Sequence, residues 1–282
     1  MIASTDIDGC SIAYEVMGDG VPVVLTPGGR NPMEMARPLA EGLAASFQVI
    51  LWDRANIGRS DVEFTGARDL DLWSDQLAGL LSRLGTGPAY LCGGSAGSRV
   101  SYTTARRYPG LVRGMYVWLV SAGAVGEQLR ESYYGKFAEI ALQGGMGAVA
   151  QDSYWAERIE ANPANRGRLL SEDPGHFADV MRRWAQGIRP EDPVFGATAD
   201  DLRAIAVPTG ILAAATGDNG HPREASIRAA ELIPGAELID SAAFQSEWPG
   251  LQQQALANYE QARSLPGLIT DWLTSTDKRL SA

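Results

Sequence analysis

From Ser11 to Val16 apolar and polar side chains alternate, bracketed by the turn dipeptides Asp8-Gly9 and Asp19-Gly20, which predicts a short antiparallel pair. The rhythm then changes. Val21 to Thr26 and Phe47 to Trp52 are continuous apolar runs, the first closed by Pro27-Gly28-Gly29 and the second by Asp53, as expected of strands buried on both faces. Between them Pro32 to Ala45 reads as a helix. Leu70, Trp73, Leu77, Leu80, Leu81 and Leu84 recur at three- and four-residue spacing and Gly85 follows, so an amphipathic helix stops there. Ala89 to Cys92 is a third buried strand, Gly97 to Tyr108 a helix ended by Pro109-Gly110, and Val112 to Val120 a fourth strand. Strands alternating with helices predict a parallel sheet and the α/β class.

After Val125 the alternation fails. Helical segments such as Glu131–Leu142 and Phe177–Trp184 are separated by Gly144-Gly145, Pro163, Pro174 and Pro190, which reads as a helical insertion running to about Asp200. The α/β pattern resumes with Thr209 to Ala215 as a strand, Arg223 to Ile233 as a helix, Glu237 to Asp240 as a strand and a closing helix ending near Trp272. This divides the 282 residues into a core of 1–124 with 201–282 and an insertion of 125–200.

Composition narrows the functional classes. With 45% apolar and 21% charged residues the chain can bury a core, and a disordered or fibrous reading is excluded. Its net charge of −10 repels phosphate backbones and anionic lipid, so nucleic acid and membrane are poor partners. The first six residues hold an early acid, no Lys or Arg, and no apolar run of signal-peptide length. The longest apolar stretch, near Met115 to Val125, is too short to span a bilayer, and the expected location is the cytoplasm. Cys10 and Cys92 lie far apart without metal-ligand spacing; they read as buried free thiols, with no disulfide, metal or cofactor implied. Monomer and homodimer both stay open.

The chemistry centres on Cys92-Gly93-Gly94-Ser95-Ala96-Gly97, a G-x-S-x-G between a predicted strand and a predicted helix. A serine on such a turn is thrust out at the carboxyl edge of the sheet, and the flanking glycines let neighbouring backbone approach closely. The helix behind Ser95 aims N–H groups and a positive dipole end at any developing oxyanion.

With this motif in place the chain resembles the α/β-hydrolase superfamily over nearly its whole length, which implies a mostly parallel central sheet with helices on both faces. The resemblance places an oxyanion turn at Thr26-Pro27-Gly28-Gly29-Arg30, with Pro27 where a histidine is usual, and so assigns the oxyanion hole to the N–H groups of Gly29 and Ala96. Asp53-Arg54-Ala55-Asn56-Ile57-Gly58-Arg59-Ser60 is similar to a stretch of lidded small-molecule hydrolases, in which Arg54 and Arg59 would be structural pairs. The insertion falls where such enzymes carry a lid. After the strand that follows it, Asp218 stands where the family has its acid, expected to orient an imidazole; Gly217-Asp218-Asn219-Gly220 is also good turn chemistry.

The departure is the base. The family's histidine follows the last strand, yet Ile239 to Trp248 contains none, and the chain has only His176 and His221. A serine hydroxyl is a weak nucleophile unless a base takes its proton. His221 shares the loop of Asp218 and must bridge from there to Ser95, or else it is a solvated imidazole at a helix start. His176 would have to reach down from the lid; Glu247, where the histidine is missing, would need a shielded pocket to act as base. Arg30 could hold a substrate anion or pair with Asp53 or Glu34. The insertion supplies Tyr133, Tyr134, Phe137, Tyr154, Trp155, Phe177, Trp184 and Phe195, suited to roofing a pocket for a small hydrophobic or aromatic substrate.

Two enzyme readings follow. The first is a hydrolase of an ester, lactone, thioester or activated C–C bond, with Ser95 as nucleophile and Asp218 with His221 as proton relay. The second, suggested by the missing histidine, is a lyase, cyclase, isomerase or cofactor-free oxygenase on the same fold. A ligand receptor on this fold is the non-enzyme alternative.

Overall fold

The computed structural model describes residues 1–218, 220–253 and 261–282. Strands β1 (Ala3–Ile7) and β2 (Cys10–Met17) form the expected hairpin, with Ile7 opposite Cys10. Asp8 and Gly9 make its two-residue turn, both at positive φ (51° and 87°), which matches the right-handed twist of the strands. Next come β3 (Pro22–Thr26), helix α1 (Arg37–Leu43), β4 (Gln48–Trp52), α2 (Asp69–Leu84), β5 (Ala89–Gly94), α3 (Ala96–Arg107) and β6 (Val112–Trp118). The insertion holds α4 (Val125–Arg130), α5 (Lys136–Gln151), α6 (Ser153–Ala161), α7 (Ala164–Ser171) and α8 (Pro174–Ala185). The chain continues with α9 (Ala199–Arg203), β7 (Thr209–Leu212), α10 (Arg223–Leu232), β8 (Glu237–Ile239), α11 (Ala242–Gln253) and α12 (Leu265–Ser281).

These strands make one eight-stranded sheet in the order β1-β2-β4-β3-β5-β6-β7-β8, parallel from β4 onward. Side chains alternate across it. Val24, Ile50, Leu91, Val117 and Ile211 pack on one face with Leu77, Val100 and Ala229 of α2, α3 and α10. Val23, Leu25, Leu51, Cys92 and Leu212 pack on the other with Leu39 of α1 and Ile269 of α12. The insertion has a third cluster around Phe137, Trp155, Phe177 and Trp184, joined by Val62 and Phe64 from the loop after β4.

The strand order reverses beside β3, since the chain goes from β3 to β4 on one side and to β5 on the other. A crevice opens at the carboxyl ends of strands at such a switch point. Thr26 pairs with Gly93, Gly94 with Trp118 and Trp118 with Leu212, so the loops leaving β3, β5, β6 and β7 emerge side by side.

Three boundaries differ from expectation. Pro32 to Ala45 is a 3₁₀ turn, Met33–Ala36, followed by α1, because Pro38 in the first turn of α1 has no N–H to continue a helix from upstream. In the insertion Gly145 does not end its helix; α5 runs on to Gln151 across a kink in which Gly145 alone takes φ 68°. The closing helix passes Trp272 and reaches Ser281, since Leu273 and Thr276 continue its buried stripe and Lys278 and Arg279 suit the negative end of its dipole.

Candidate active site

Ser95 sits between β5 and α3 at φ 52° and ψ −113°, a conformation that a non-glycine residue holds only when its surroundings enforce it. Its N–H donates to the carbonyl of Trp118 at 3.1 Å. The glycines of the motif answer to contact: a Cβ on Gly97 would lie 2.1 Å from the Thr26 carbonyl oxygen, and one on Gly93 2.6 Å from the carbonyl carbon of Gly97. Any side chain there would push α3 off the sheet and take Ser95 with it.

On the loop after β7, Asp218 and His221 are each 8% exposed. Oδ1 of Asp218 accepts the backbone N–H groups of Gly220 (2.9 Å) and His221 (3.1 Å), folding the loop back on itself. That fold swings the imidazole round so that Nδ1 lies 2.8 Å from Asp218 Oδ2 and Nε2 3.0 Å from Ser95 Oγ. With a carboxylate as its neighbour, Nδ1 carries the proton and donates, leaving Nε2 to accept from the serine hydroxyl. An imidazole on the same loop as Asp218 therefore spans to the serine. Asn219, part of the turn expected at 217–220, lies outside the described residues.

The other candidate bases stand elsewhere. His176 stands in the exposed first turn of α8, where its backbone N–H donates to the capping Asp173, and its side chain is 59% accessible and 3.5 Å from Glu172. Glu247 on α11 accepts the backbone N–H groups of Arg263 (2.6 Å) and Ser264 (3.1 Å), tying α11 to the start of α12. Neither lines the cavity at Ser95.

Gly29 and Ala96 both line that cavity, and among the described residues no hydrogen bond is made by either N–H. The Gly29 peptide is held from behind by Arg54, which donates to its carbonyl at 3.0 Å and lies over the Trp73 ring. Arg54 is wholly buried, and desolvation pulls its guanidinium down to about 10. Asp53 braces the same region, accepting from the N–H of Met33 (2.7 Å) and of Arg59 (2.9 Å), while burial raises its carboxyl above the ordinary range. Arg59 pairs with Glu34. Arg30 pairs with neither Asp53 nor Glu34: its guanidinium stacks at 4.5 Å from the Tyr133 ring and 4.6 Å from the Tyr154 ring, and donates to the Tyr133 carbonyl. It joins the turn after β3 to the insertion.

The cavity holds about 230 Å³. Its apolar wall is Leu119, Val125, Leu129, Tyr133 and Phe195. Of the eight aromatic residues expected to roof it, only Tyr133 and Phe195 line it; Tyr134, Phe137, Trp155, Phe177 and Trp184 form the insertion's own core, because helices this short need their large side chains to hold each other. Two lining residues had no signal in the motif reading. Ser121, on the loop after β6, puts Oγ 3.2 Å from Ser95 Oγ, a neighbour that only the sheet order supplies. Arg99 stands four residues after Ser95 on α3, one helical turn on, and that spacing was the available clue.

A serine, an imidazole and a carboxylate in one hydrogen-bonded line, at the mouth of a cavity beside two free N–H donors, on this sheet, define an α/β-hydrolase site. The chain belongs to the alpha/beta hydrolase family, whose sequence model matches residues 23–263, and it is a hydrolase of that family. It is 28% identical over 258 residues to the "Putative carbamate hydrolase RutD" of Azorhizobium caulinodans, covering 87% of this chain and 93% of that one. Its structure matches a thermophilic esterase of Thermogutta terrifontis, solved with malate bound, at TM-score 0.64 and 26% identity, covering 98% of this chain and 97% of that one. An enol-lactonase of Burkholderia xenovorans LB400 shares the fold at TM-score 0.65 and 18% identity, covering 96% and 100%. Among the described residues no helix is long and apolar enough to cross a membrane.

Proposed function

We propose that the protein is a serine hydrolase of small esters or lactones, with Ser95 as nucleophile, His221 as base, Asp218 as the group orienting it, and the Gly29 and Ala96 N–H groups as oxyanion hole. The observation that carries this reading is the contact of His221 Nε2 with Ser95 Oγ at 3.0 Å. Ser95 Oγ attacks the carbonyl carbon as its proton passes to Nε2, and Asp218 stabilises the imidazolium. The carbonyl oxygen becomes an oxyanion facing the two N–H donors. His221 then protonates the leaving alcohol, and the C–O bond breaks. A water that gives its proton to His221 attacks the acyl-enzyme, and the acid leaves as Ser95 regains its proton.

The named activities of the relatives, carbamate hydrolase, esterase and enol-lactonase, all release an acyl or carbamoyl carbon to water and support this chemistry. The non-hydrolytic alternative is favoured by the absence of a histidine after the last strand; the His221 contact with Ser95 supports the hydrolytic reading over it. Helices α4 to α8 act as a lid, and the apolar wall with Tyr133 and Phe195 suits a small substrate with a hydrophobic body. Two buried free thiols fit a reducing compartment, the cytoplasm.

The test is intact-mass labelling with a fluorophosphonate probe. Wild type takes up one probe per chain; Ser95→Ala takes up none, and His221→Ala labels at least about a hundredfold more slowly. His176→Ala and Glu247→Gln label like wild type. Labelling of Ser95→Ala, or none of folded wild type, refutes the reading.

A further inference from the structure

The protein carries ten more acidic than basic side chains, yet among the described residues no Asp or Glu lines the cavity at Ser95. Its one guanidinium is Arg99, on the helix that starts at the nucleophile. Arg99 is 5% exposed, and its Nε donates to the Phe195 carbonyl at 3.1 Å, which sets the plane of the fork. Among the described residues it has no acidic partner within ion-pair distance, and no hydrogen bond is made by its Nη groups. A buried cation is costly unless its charge is met: Arg54 is met by the Gly29 carbonyl and the face of Trp73, and Arg158 by Glu157 and the Tyr154 ring, whereas among the described residues Arg99 meets only the Phe195 carbonyl. A surface of negative sign with a single positive group inside an apolar cleft focuses attraction on that group.

From these observations we infer that Arg99 recognises a carboxylate of the substrate, so that the protein cleaves esters or lactones bearing a free carboxylate a few bonds from the scissile carbonyl. The inference rests on the serine-hydrolase reading and deepens it. Arg99 stands four residues, about 6 Å of helix rise, along α3 from Ser95, a backbone separation on the scale of a chain of two to four carbons. The planar fork, fixed at Nε, offers its Nη groups to both oxygens of a carboxylate. The apolar wall of Leu119, Val125 and Leu129 takes the carbon chain between the two polar ends. Arg99 is thus a specificity residue: it holds a remote part of the substrate while Ser95, His221 and the oxyanion donors act on the carbonyl.

The experiment compares esters that differ in one charge. Monomethyl glutarate is set against dimethyl glutarate and methyl valerate, and 3-acetoxypropionate against ethyl acetate, so that the carboxylate is tried on both sides of the scissile bond. We expect wild type to prefer the anionic ester of at least one pair by tenfold or more in kcat/KM, carried by KM, and glutarate to inhibit hydrolysis of methyl valerate competitively. In Arg99→Met the ratio of anionic to neutral ester turnover falls to near one and the glutarate inhibition vanishes; Arg99→Lys, which keeps the charge, regains part of the preference. If Arg99→Met fails to fold, the wild-type comparison and glutarate competition decide alone. Wild type that cleaves neutral esters through Ser95 but shows no anionic preference and no glutarate inhibition overturns the inference and leaves the serine-hydrolase reading intact. No turnover of any ester, together with no probe labelling, overturns both.

Discussion

The two oxygens of Asp218 have separate partners: Oδ1 accepts two backbone N–H groups of its own loop, and Oδ2 faces the His221 ring. One carboxylate therefore shapes the loop and fixes the tautomer of the His221 imidazole. In Asp218→Asn the amide oxygen can still accept from the backbone, but its NH₂ then points at Nδ1 and forces the proton onto Nε2, where it blocks transfer from Ser95. The expected result is a fall in kcat of about 10⁴-fold with KM and melting temperature nearly unchanged, measured by steady-state kinetics and thermal unfolding. At this scale the motif around Ser95 was legible because strand, tight turn and helix lie within a few residues. His221 was a candidate from position alone, and its contact with Ser95 crosses 126 residues of chain.

Between elements, the insertion is fastened to the turn after β3 by Tyr154 of α6. Its ring lies between two guanidinium groups, 4.6 Å from that of Arg30 and 3.7 Å from that of Arg158, and its hydroxyl donates to the Asn56 carbonyl at 2.6 Å. Arg158 in turn donates to the Arg30 carbonyl at 3.0 Å. Tyr154→Ala removes the common plate of this stack, at a cost of about 3 kcal/mol, and frees the turn that presents Gly29. We expect a lower unfolding midpoint, faster proteolysis within α4 to α8 and a kcat at least about tenfold lower, with Tyr154→Phe intermediate. A second fastening joins β2 to α1, where Arg37 donates to Glu15 at 2.5 Å and holds that carboxyl below the ordinary range. A depressed carboxyl stabilises the fold above its unfolded value and loses that contribution as pH falls through the folded one. The stability difference between wild type and Glu15→Gln, measured by urea unfolding, is therefore expected to be largest near neutrality and to shrink as the pH falls through the acid range. Neither fastening could be read from hydrophobic period, which reports a helix's buried stripe but not the neighbour it meets.

Across the whole molecule, both faces of the sheet are covered, and both thiols lie under that cover. Burial pushes the Cys10 thiol up to about 12 and the Cys92 thiol higher still. Neither forms thiolate near pH 8, so a maleimide should leave the native protein unmodified over the time in which it labels both cysteines in denaturant. The rate of native-state labelling then reports opening of the sheet's two covers, and an instant reaction of either thiol would contradict the packing.

Local chemistry was determined by the sequence alone: period of two for the hairpin, apolar runs for the inner strands, period of 3.6 for the helices, and the glycine-flanked turn that presents Ser95 between strand and helix. These depend on neighbours within one or two turns of chain, and the α/β-hydrolase architecture follows from their order. Tertiary structure alone decided which histidine meets Ser95, that Glu247 caps α12, that Arg30 stacks in the insertion instead of pairing with an acid, and that most of the insertion's aromatic residues hold its own core. Each of these depends on which loops the strand order places side by side, and on which large side chains a set of short helices must consume to be stable. Such contacts join residues tens to hundreds of positions apart, where neither spacing nor composition carries their distance.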